Sequence, residues 1–471
     1  MAASFDKDIM FQWGSGMGKE FKAKGSNVQL GPGLCLARVP LNGRNFEYAA
    51  GEDPFLGYHL IHGAIAGIQS ENVIANAKHW VNNNEETNRH GVTEIVDDRT
   101  RFEMYYPAFK GAVDAGVGSI MCSCESPLPP KLSKRLCALT IAWLCRVTDN
   151  KINAGPTQHV GDPNTWSCEN PLTLKRDLKA RLGFQGWVMS DWGACHSASI
   201  MQGLDQEMPG QQYMSPEAIK AKLQSSEISQ AAVDESVLRM LTPMFSVGVM
   251  DQPEGTWDYH KLSANVTTEA SVTAARSLAA QCTVLLKNEK QTLPLSADKK
   301  VAIIGFGSTN AVVHGGGSGS VVPSSIVSPL EGMNEVLSTA ATYSDGTDLE
   351  EAVSMAKAAD VAVVFVATLS HEGGDRGSLS LDVGCVPDTR PGRQGVGTPC
   401  VGNANNQNAM VSAIAAAQPN TVVVMSVPGA VLTPWADEVP AIVTNFMPGQ
   451  VRFLTEILDD FRRFVDEIWR F

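Results

Sequence analysis

Short apolar runs separated by longer stretches of helical periodicity set the rhythm of the first half of the chain. Val28-Gln29-Leu30, Val73-Ile74-Ala75-Asn76, Gly118-Ser119-Ile120-Met121 and Trp187-Val188-Met189 read as strands, with helices such as residues 102–113 and 171–182 between them. Strands apolar on both faces belong in a buried parallel sheet, so the alternation over residues 1–250 predicts a (β/α)8-type barrel. The turn-rich Asp251-Gln252-Pro253-Glu254-Gly255 breaks the rhythm. A helix over about 268–282 then leads to Val284-Leu285-Leu286-Lys287-Asn288, and residues 251–298 are predicted to be a linker and the entry to a second domain. From 299 to 471 strands at Val301, Val361, Thr421 and Ala441 alternate with helices near 349–359 and 405–417. This predicts an α/β layer sandwich with a largely parallel sheet.

The first chemistry lies where an apolar run stops on a carboxylate, in Gly186-Trp187-Val188-Met189-Ser190-Asp191-Trp192-Gly193. A buried parallel strand presents catalytic groups at its C-terminal end, and a carboxylate there can attack an electrophilic carbon. Asp191 is therefore a candidate nucleophile and Trp192 a candidate apolar wall for a sugar ring. The competing reading is that Ser190-Asp191 caps a following helix. Glu372 follows the β-branched run Val361-Ala362-Val363-Val364-Phe365-Val366-Ala367, which puts it on a loop at a strand end. There it is either a catalytic acid or an ordinary loop carboxylate paired with Arg376. The strand entering Gly305-Phe306-Gly307-Ser308 suggests a dinucleotide loop, but Asn310 stands where the third glycine belongs. His79, His90, Cys122 and Cys124 lack the paired spacing of metal ligands, and no metal is expected.

The 471 residues are 44% hydrophobic and 18% charged, enough for two or three domains with cores. A net charge of −13 argues against nucleic acid and anionic membranes as partners and suits a neutral ligand. The opening Met1-Ala2-Ala3-Ser4-Phe5-Asp6-Lys7-Asp8 has no apolar core of a secretory signal, which leaves the compartment open, as do the ten scattered cysteines. Residues 136–145 form an apolar stretch too short to span a bilayer.

Further segments fall in a consistent order. They are Gly43-Arg44-Asn45-Phe46-Glu47, Gly51-Glu52-Asp53-Pro54, Ala77-Lys78-His79, Asn82-Asn83-Asn84-Glu85-Glu86-Thr87-Asn88-Arg89, Met121-Cys122-Ser123, Gly203-Leu204-Asp205, Glu207-Met208-Pro209-Gly210, His314-Gly315-Gly316-Gly317-Ser318-Gly319 and Glu372-Gly373-Gly374-Asp375-Arg376. Together with the Asp191 segment they resemble the family 3 glycoside hydrolases, and most closely their β-glucosidase branch, from about residue 3 to Gln450. The resemblance implies retaining hydrolysis of terminal β-D-glucosyl residues from a small β-glucoside or oligosaccharide, without a cofactor. It implies Asp191 as nucleophile, Glu372 as acid/base, Arg44, Lys78 and His79 as holders of the sugar hydroxyls, and Trp192 as a wall of the aglycone side. Xylosidase-like members tend to carry Cys after the same Asp, and the hexosaminidase branch uses a His-Asp pair as acid/base. The alternatives are a non-catalytic carbohydrate-binding or interaction protein derived from this family, or a β-xylosidase-like member. Members of the family are often secreted. Cys122 and Cys168 fall in segments that the resemblance brings together, where a disulfide or two buried thiols would serve.

The same resemblance exposes departures. Family members begin earlier, with the first barrel strand and a sugar-gripping Asp, so the barrel is expected to lack that strand and the sandwich to be truncated at its C-terminal side. Cys124 stands where the family usually has Tyr, and expansions interrupt the pattern between Cys124 and Trp166 and over 383–402, where Cys385 and Cys400 could pair. Residues 451–471 read as an unrelated amphipathic helix. These breaks lead to an expectation of weak turnover.

Overall fold

The computed structural model describes residues 1–87, 89, 94, 96–123, 165–382 and 406–449. Cys124, His90, the apolar stretch 136–145, the two expansions with Cys385 and Cys400, and the helix expected over 451–471 lie outside the described residues. The chain divides into two compact units. A barrel-type unit comprises Phe5–Val39 and Glu47–Val266, and a sandwich unit comprises Met1–Ser4, Pro40–Phe46 and Thr267–Phe471.

In the barrel-type unit the strands β1 (Val28–Gln29), β2 (Ile74–Trp80), β3 (Ser119–Cys122) and β4 (Trp187–Met189) pair in parallel and in sequence order. That is the succession of a (β/α) barrel wall, and each of the four apolar runs read from the sequence contributes one strand. Between β1 and β2, the helix Pro54–Ser70 starts where the Asp53 side chain accepts the Phe55 N–H at 2.8 Å, with Pro54 in the first turn. It packs against the helix Lys7–Ala23 with backbones nearly touching. A Cβ at Gly67 would lie 2.2 Å from the Phe11 carbonyl oxygen, so glycine is obligatory there.

Beyond β4 no strand is paired among the described residues, and a turn takes its place. Val188 O accepts the N–H groups of Asp205 and Gln206 at 3.0 and 3.1 Å, while the Asp205 carboxylate accepts the Val188 N–H at 2.8 Å. Asp205 is also bound by Lys179 Nζ at 2.8 Å and the Ser236 hydroxyl at 2.9 Å. One buried carboxylate thereby ties β4 to the helical stretch Leu172–Arg181 and to the helix Gln230–Ser246. At the end of β3, Cys122 and Cys168 form a disulfide with their Cα atoms 5.4 Å apart, which decides between the bridge and the free thiols.

The sandwich unit holds a six-stranded sheet in the order β5-β10-β9-β8-β6-β7. Here β5 is Val284–Asn288, β6 Val301–Ile304, β7 Thr342–Ser344, β8 Val361–Ala367, β9 Thr421–Ser426 and β10 Ala441–Thr444. All neighbours are parallel except β5, which runs antiparallel to β10 at the edge. Alternate residues feed two cores. Val301, Ile303, Val363, Phe365 and Val424 pack with Leu293, Leu295 and Met333 on one face. Ile304, Val364, Val366, Val423 and Met425 pack with Ala356, Met410, Ile414 and Trp435 on the other. The fold class is therefore α/β, a barrel-type sheet followed by a largely parallel layer sandwich. The glycine turn after β6 has a packing explanation: Gly305 has φ +108°, and a Cβ there would lie 2.2 Å from the Phe365 carbonyl oxygen.

Candidate active site

Asp191 lies two residues past the end of β4, and its side chain is 14% exposed. It caps no helix. Its Oδ1 accepts the N–H of the adjacent Trp192 at 3.1 Å, and the next helical turn, Ser199–Gln202, starts from Ala198. Ser190 is fastened to the same turn that covers β4, since its hydroxyl accepts the Met208 N–H at 2.8 Å and its own N–H reaches Gln206 O at 2.9 Å. The carboxylate thus sits on a strand end laced on both edges.

The register of β2 delivers His79 to Asp191. The imidazole Nε2 stands 3.4 Å from Asp191 Oδ2, and the ring is buried, 1% exposed. Its Nδ1 lies 3.3 Å from the Tyr48 hydroxyl, which accepts from Asn83 Nδ2 at 2.6 Å. Lys78, the preceding residue, places Nζ 3.9 Å from Glu47 Oε2. Trp192 is 43% exposed. Burial pushes the nearby Cys195 thiol up to about 12. Cys122, once weighed as a metal ligand, is in the disulfide and has no thiolate to offer.

Glu372 and Arg44 come together in the sandwich unit. Arg44 Nη1 is 3.5 Å from Glu372 Oε1, and Arg44 Nη2 is 3.4 Å from the Ser318 hydroxyl. Glu372 Oε2 accepts the Ser318 N–H at 2.7 Å. Two glycines make this clasp possible. A Cβ on Gly317, whose φ is +101°, would stand 2.4 Å from the Glu372 Cβ, and one on Gly43 would stand 2.1 Å from the Gly374 carbonyl oxygen. Gly43 N–H donates to Asp375 Oδ1 at 3.1 Å, and Arg376 N–H to Leu41 O at 2.8 Å.

Arg376 is not the partner of Glu372. Its guanidinium is buried and donates to Ala430 O at 2.7 Å, and burial pulls its pKa below the ordinary arginine value. The sequence grouped Arg44 with Lys78 and His79. Arg44 lies with Glu372 in one unit, and Lys78 and His79 belong, with Asp191, to the other. Tyr48, which stands against His79, Asn83, which donates to Tyr48, and Glu47, which stands against Lys78, were not among the candidates read from the sequence. Their signal was present, because Glu47 and Asn83 lie inside two of the quoted motifs and Tyr48 follows Glu47.

Retaining glycoside hydrolysis needs two carboxyl groups, and each unit presents one of the two that the sequence singled out, Asp191 on a strand end and Glu372 on a loop. Residues 1–153 match the glycosyl hydrolase family 3 N-terminal domain, and residues 283–458 match the glycosyl hydrolase family 3 C-terminal domain. This chain belongs to glycosyl hydrolase family 3. The second match runs eight residues past Gln450, the end of the resemblance read from the sequence.

Among its relatives is the probable beta-glucosidase L of Emericella nidulans, 32% identical over 97% of this chain and 60% of that protein. The thermostable beta-glucosidase B of Acetivibrio thermocellus is 30% identical over 96% of this chain and 53% of its own length. The crystal structure of the beta-D-glucoside glucohydrolase from Trichoderma reesei superposes with a TM-score of 0.77 at 29% identity, covering 97% of this chain and 62% of that one. This chain therefore spans roughly three fifths of the length of such relatives.

Proposed function

We propose that this protein is a retaining β-glucosidase that releases terminal β-D-glucosyl residues from small β-glucosides or oligosaccharides. The observation that carries the reading is the buried His79 imidazole set against Asp191 at the end of β4, because a nucleophile must be aimed and a strand end with a fixed donor aims it. In the first step an Asp191 oxygen bonds to the anomeric carbon, and the bond to the aglycone oxygen breaks as that oxygen takes the Glu372 proton. In the second step water attacks the same carbon, Glu372 takes its proton, and Asp191 leaves as carboxylate.

Arg44 has two tasks in this reading. Its Nη1 stands 3.5 Å from Glu372 Oε1 and holds that carboxyl group in place. The same guanidinium also binds a sugar hydroxyl as a charged donor. Lys78 and His79 bind further hydroxyls, and Trp192 stacks on the aglycone side.

Proton NMR of the sugar first released from an aryl β-glucoside tests the mechanism. β-Glucose appearing first is expected, and α-glucose first would overturn it. Trapping with a 2-deoxy-2-fluoro-β-glucosyl probe should place the label on the peptide containing Asp191. A label on any other residue refutes the assignment.

A further inference from the structure

Glu207 lies on the turn that covers β4 and has no part in the mechanism above. Its side chain is buried, 7% exposed, although Pro209, Gln211 and Gln212 beside it are exposed. Its Oε2 accepts the N–H groups of Tyr213 and Met214 at 3.0 and 2.8 Å, and its Oε1 stands 3.0 Å from the same Tyr213 nitrogen. One carboxyl group thus closes residues 207–214 into a loop. The neighbouring Met208 reaches from that loop to the strand end. Its N–H donates to Ser190 Oγ at 2.8 Å, and its carbonyl oxygen accepts the Gly193 N–H at 3.2 Å. Met208 therefore grips the chain on both sides of Asp191.

We propose that Glu207 is a positioning residue that fixes the line of attack of Asp191 through Met208. The proposal rests on the β-glucosidase reading for its purpose. On its N-terminal side Met208 is secured, because Gln206 is bridged to Met189 and accepts the Ser190 N–H at 2.9 Å. On its C-terminal side the chain enters a turn through Gly210 at φ +99° and Gln211 at φ +76°. None of residues 209–214 is buried, so this turn has no apolar core of its own, and the bonds to Glu207 bring it back. Without them the turn opens locally and the hold of Met208 on Ser190 and Gly193 slackens. A shift on the order of 1 Å at a reacting group costs up to about 10²-fold in rate. Glu207 itself touches no sugar in this account, so its loss slows attack and leaves the affinity for glucose nearly as it was.

The rate of trapping by the 2-deoxy-2-fluoro-β-glucosyl probe separates this role from a merely structural one. Glu207→Ala should slow labelling of Asp191 about tenfold, with labelling still running to completion and the inhibition constant of glucose changed less than about twofold. Glu207→Gln keeps one side-chain oxygen for both N–H groups and should recover most of the rate. A folded Glu207→Ala protein with the wild-type rate constant, or one in which only the labelled fraction falls, overturns the proposal. Where Glu207→Ala does not fold, hydrogen exchange of the wild-type chain, resolved to single amides, decides instead. The Gly193 and Met208 N–H groups should open together with those of Tyr213 and Met214, with protection factors within about threefold of one another. Exchange at Tyr213 and Met214 while Gly193 and Met208 stay protected overturns the coupling. A wild-type chain that the probe never labels defeats the β-glucosidase reading, and the exchange measurement still decides whether Glu207 holds the strand end.

Discussion

Asp191 stands on a strand end and Glu372 on a loop, and their surroundings differ accordingly. Asp191 belongs to a segment laced by backbone and side-chain bonds to the 205–208 turn, with a buried imidazole against it. Glu372 is held by a clasp of loops, in which the Ser318 N–H, the Arg44 guanidinium and two close glycine approaches do the holding. The difference fits the work proposed for each. A nucleophile keeps one charge state and needs a fixed line of attack, whereas an acid/base gains and loses a proton in every turnover and needs surroundings whose charge can change.

Removing each carboxylate is the hardest test of this contrast. Asp191→Asn should abolish turnover of an aryl β-glucoside, since no glycosyl-enzyme can form. Glu372→Gln should lower kcat by roughly 10²- to 10⁴-fold for a poor leaving group, and far less for a nitrophenolate that departs without a proton. Equal loss for both leaving groups would show that Glu372 is not the acid. Azide should restore the second half-reaction in the Glu372 variant only, with glucosyl azide as the product to be detected.

The lacing behind Asp191 predicts a stability effect with no counterpart at the Glu372 clasp. Asp205→Leu leaves Lys179, whose side chain is 8% exposed, without its buried partner, and should cost about 3–5 kcal/mol in urea unfolding. The double change Asp205→Leu with Lys179→Met should recover much of that, because two apolar groups replace the pair. Failure of the double variant to recover would mean that the bond to Val188 N–H, not the ion pair, dominates. Severing the Cys122–Cys168 bridge by Cys168→Ser releases a 46-residue separation in the unfolded chain and should cost about 2–4 kcal/mol. Calorimetry should place that loss in the barrel-type unit.

The strands were legible because burial on both faces leaves unbroken apolar runs such as Val361-Ala362-Val363-Val364-Phe365-Val366-Ala367. Asp191 and Glu372 were legible because each interrupts or follows such a run. The strand β7, Thr342–Ser344, was not, since an edge strand with exposed Thr342 and Tyr343 has no apolar signature. The pairing of Arg44 with Glu372, 328 positions apart, was equally hidden. Nothing in local periodicity records that residues 40–46 leave one unit to pack in the other. Helix Lys7–Ala23 escaped because its buried face joins Ile9 and Met10 to Gly14 and Gly18, and the glycines carry no hydrophobic signal but permit the closest approach.

Trp192 offers the mildest test and the one that best separates a functional side chain from a structural one. At 43% exposure its indole contributes less to the core than the fully buried Trp187, which lies five residues earlier on β4. Trp192→Ala should therefore change unfolding free energy by only about 0.5–1 kcal/mol, whereas Trp187→Ala should cost about 3–5 kcal/mol. On activity the order reverses. Loss of an aromatic face against the aglycone removes about 0.5–1.5 kcal/mol of stacking, a two- to tenfold rise in KM for an aryl glucoside. For a methyl glucoside, which has no ring to stack, KM should stay within about twofold of wild type. Equal effects on both substrates would place Trp192 in the support of Asp191 rather than in the wall of the subsite.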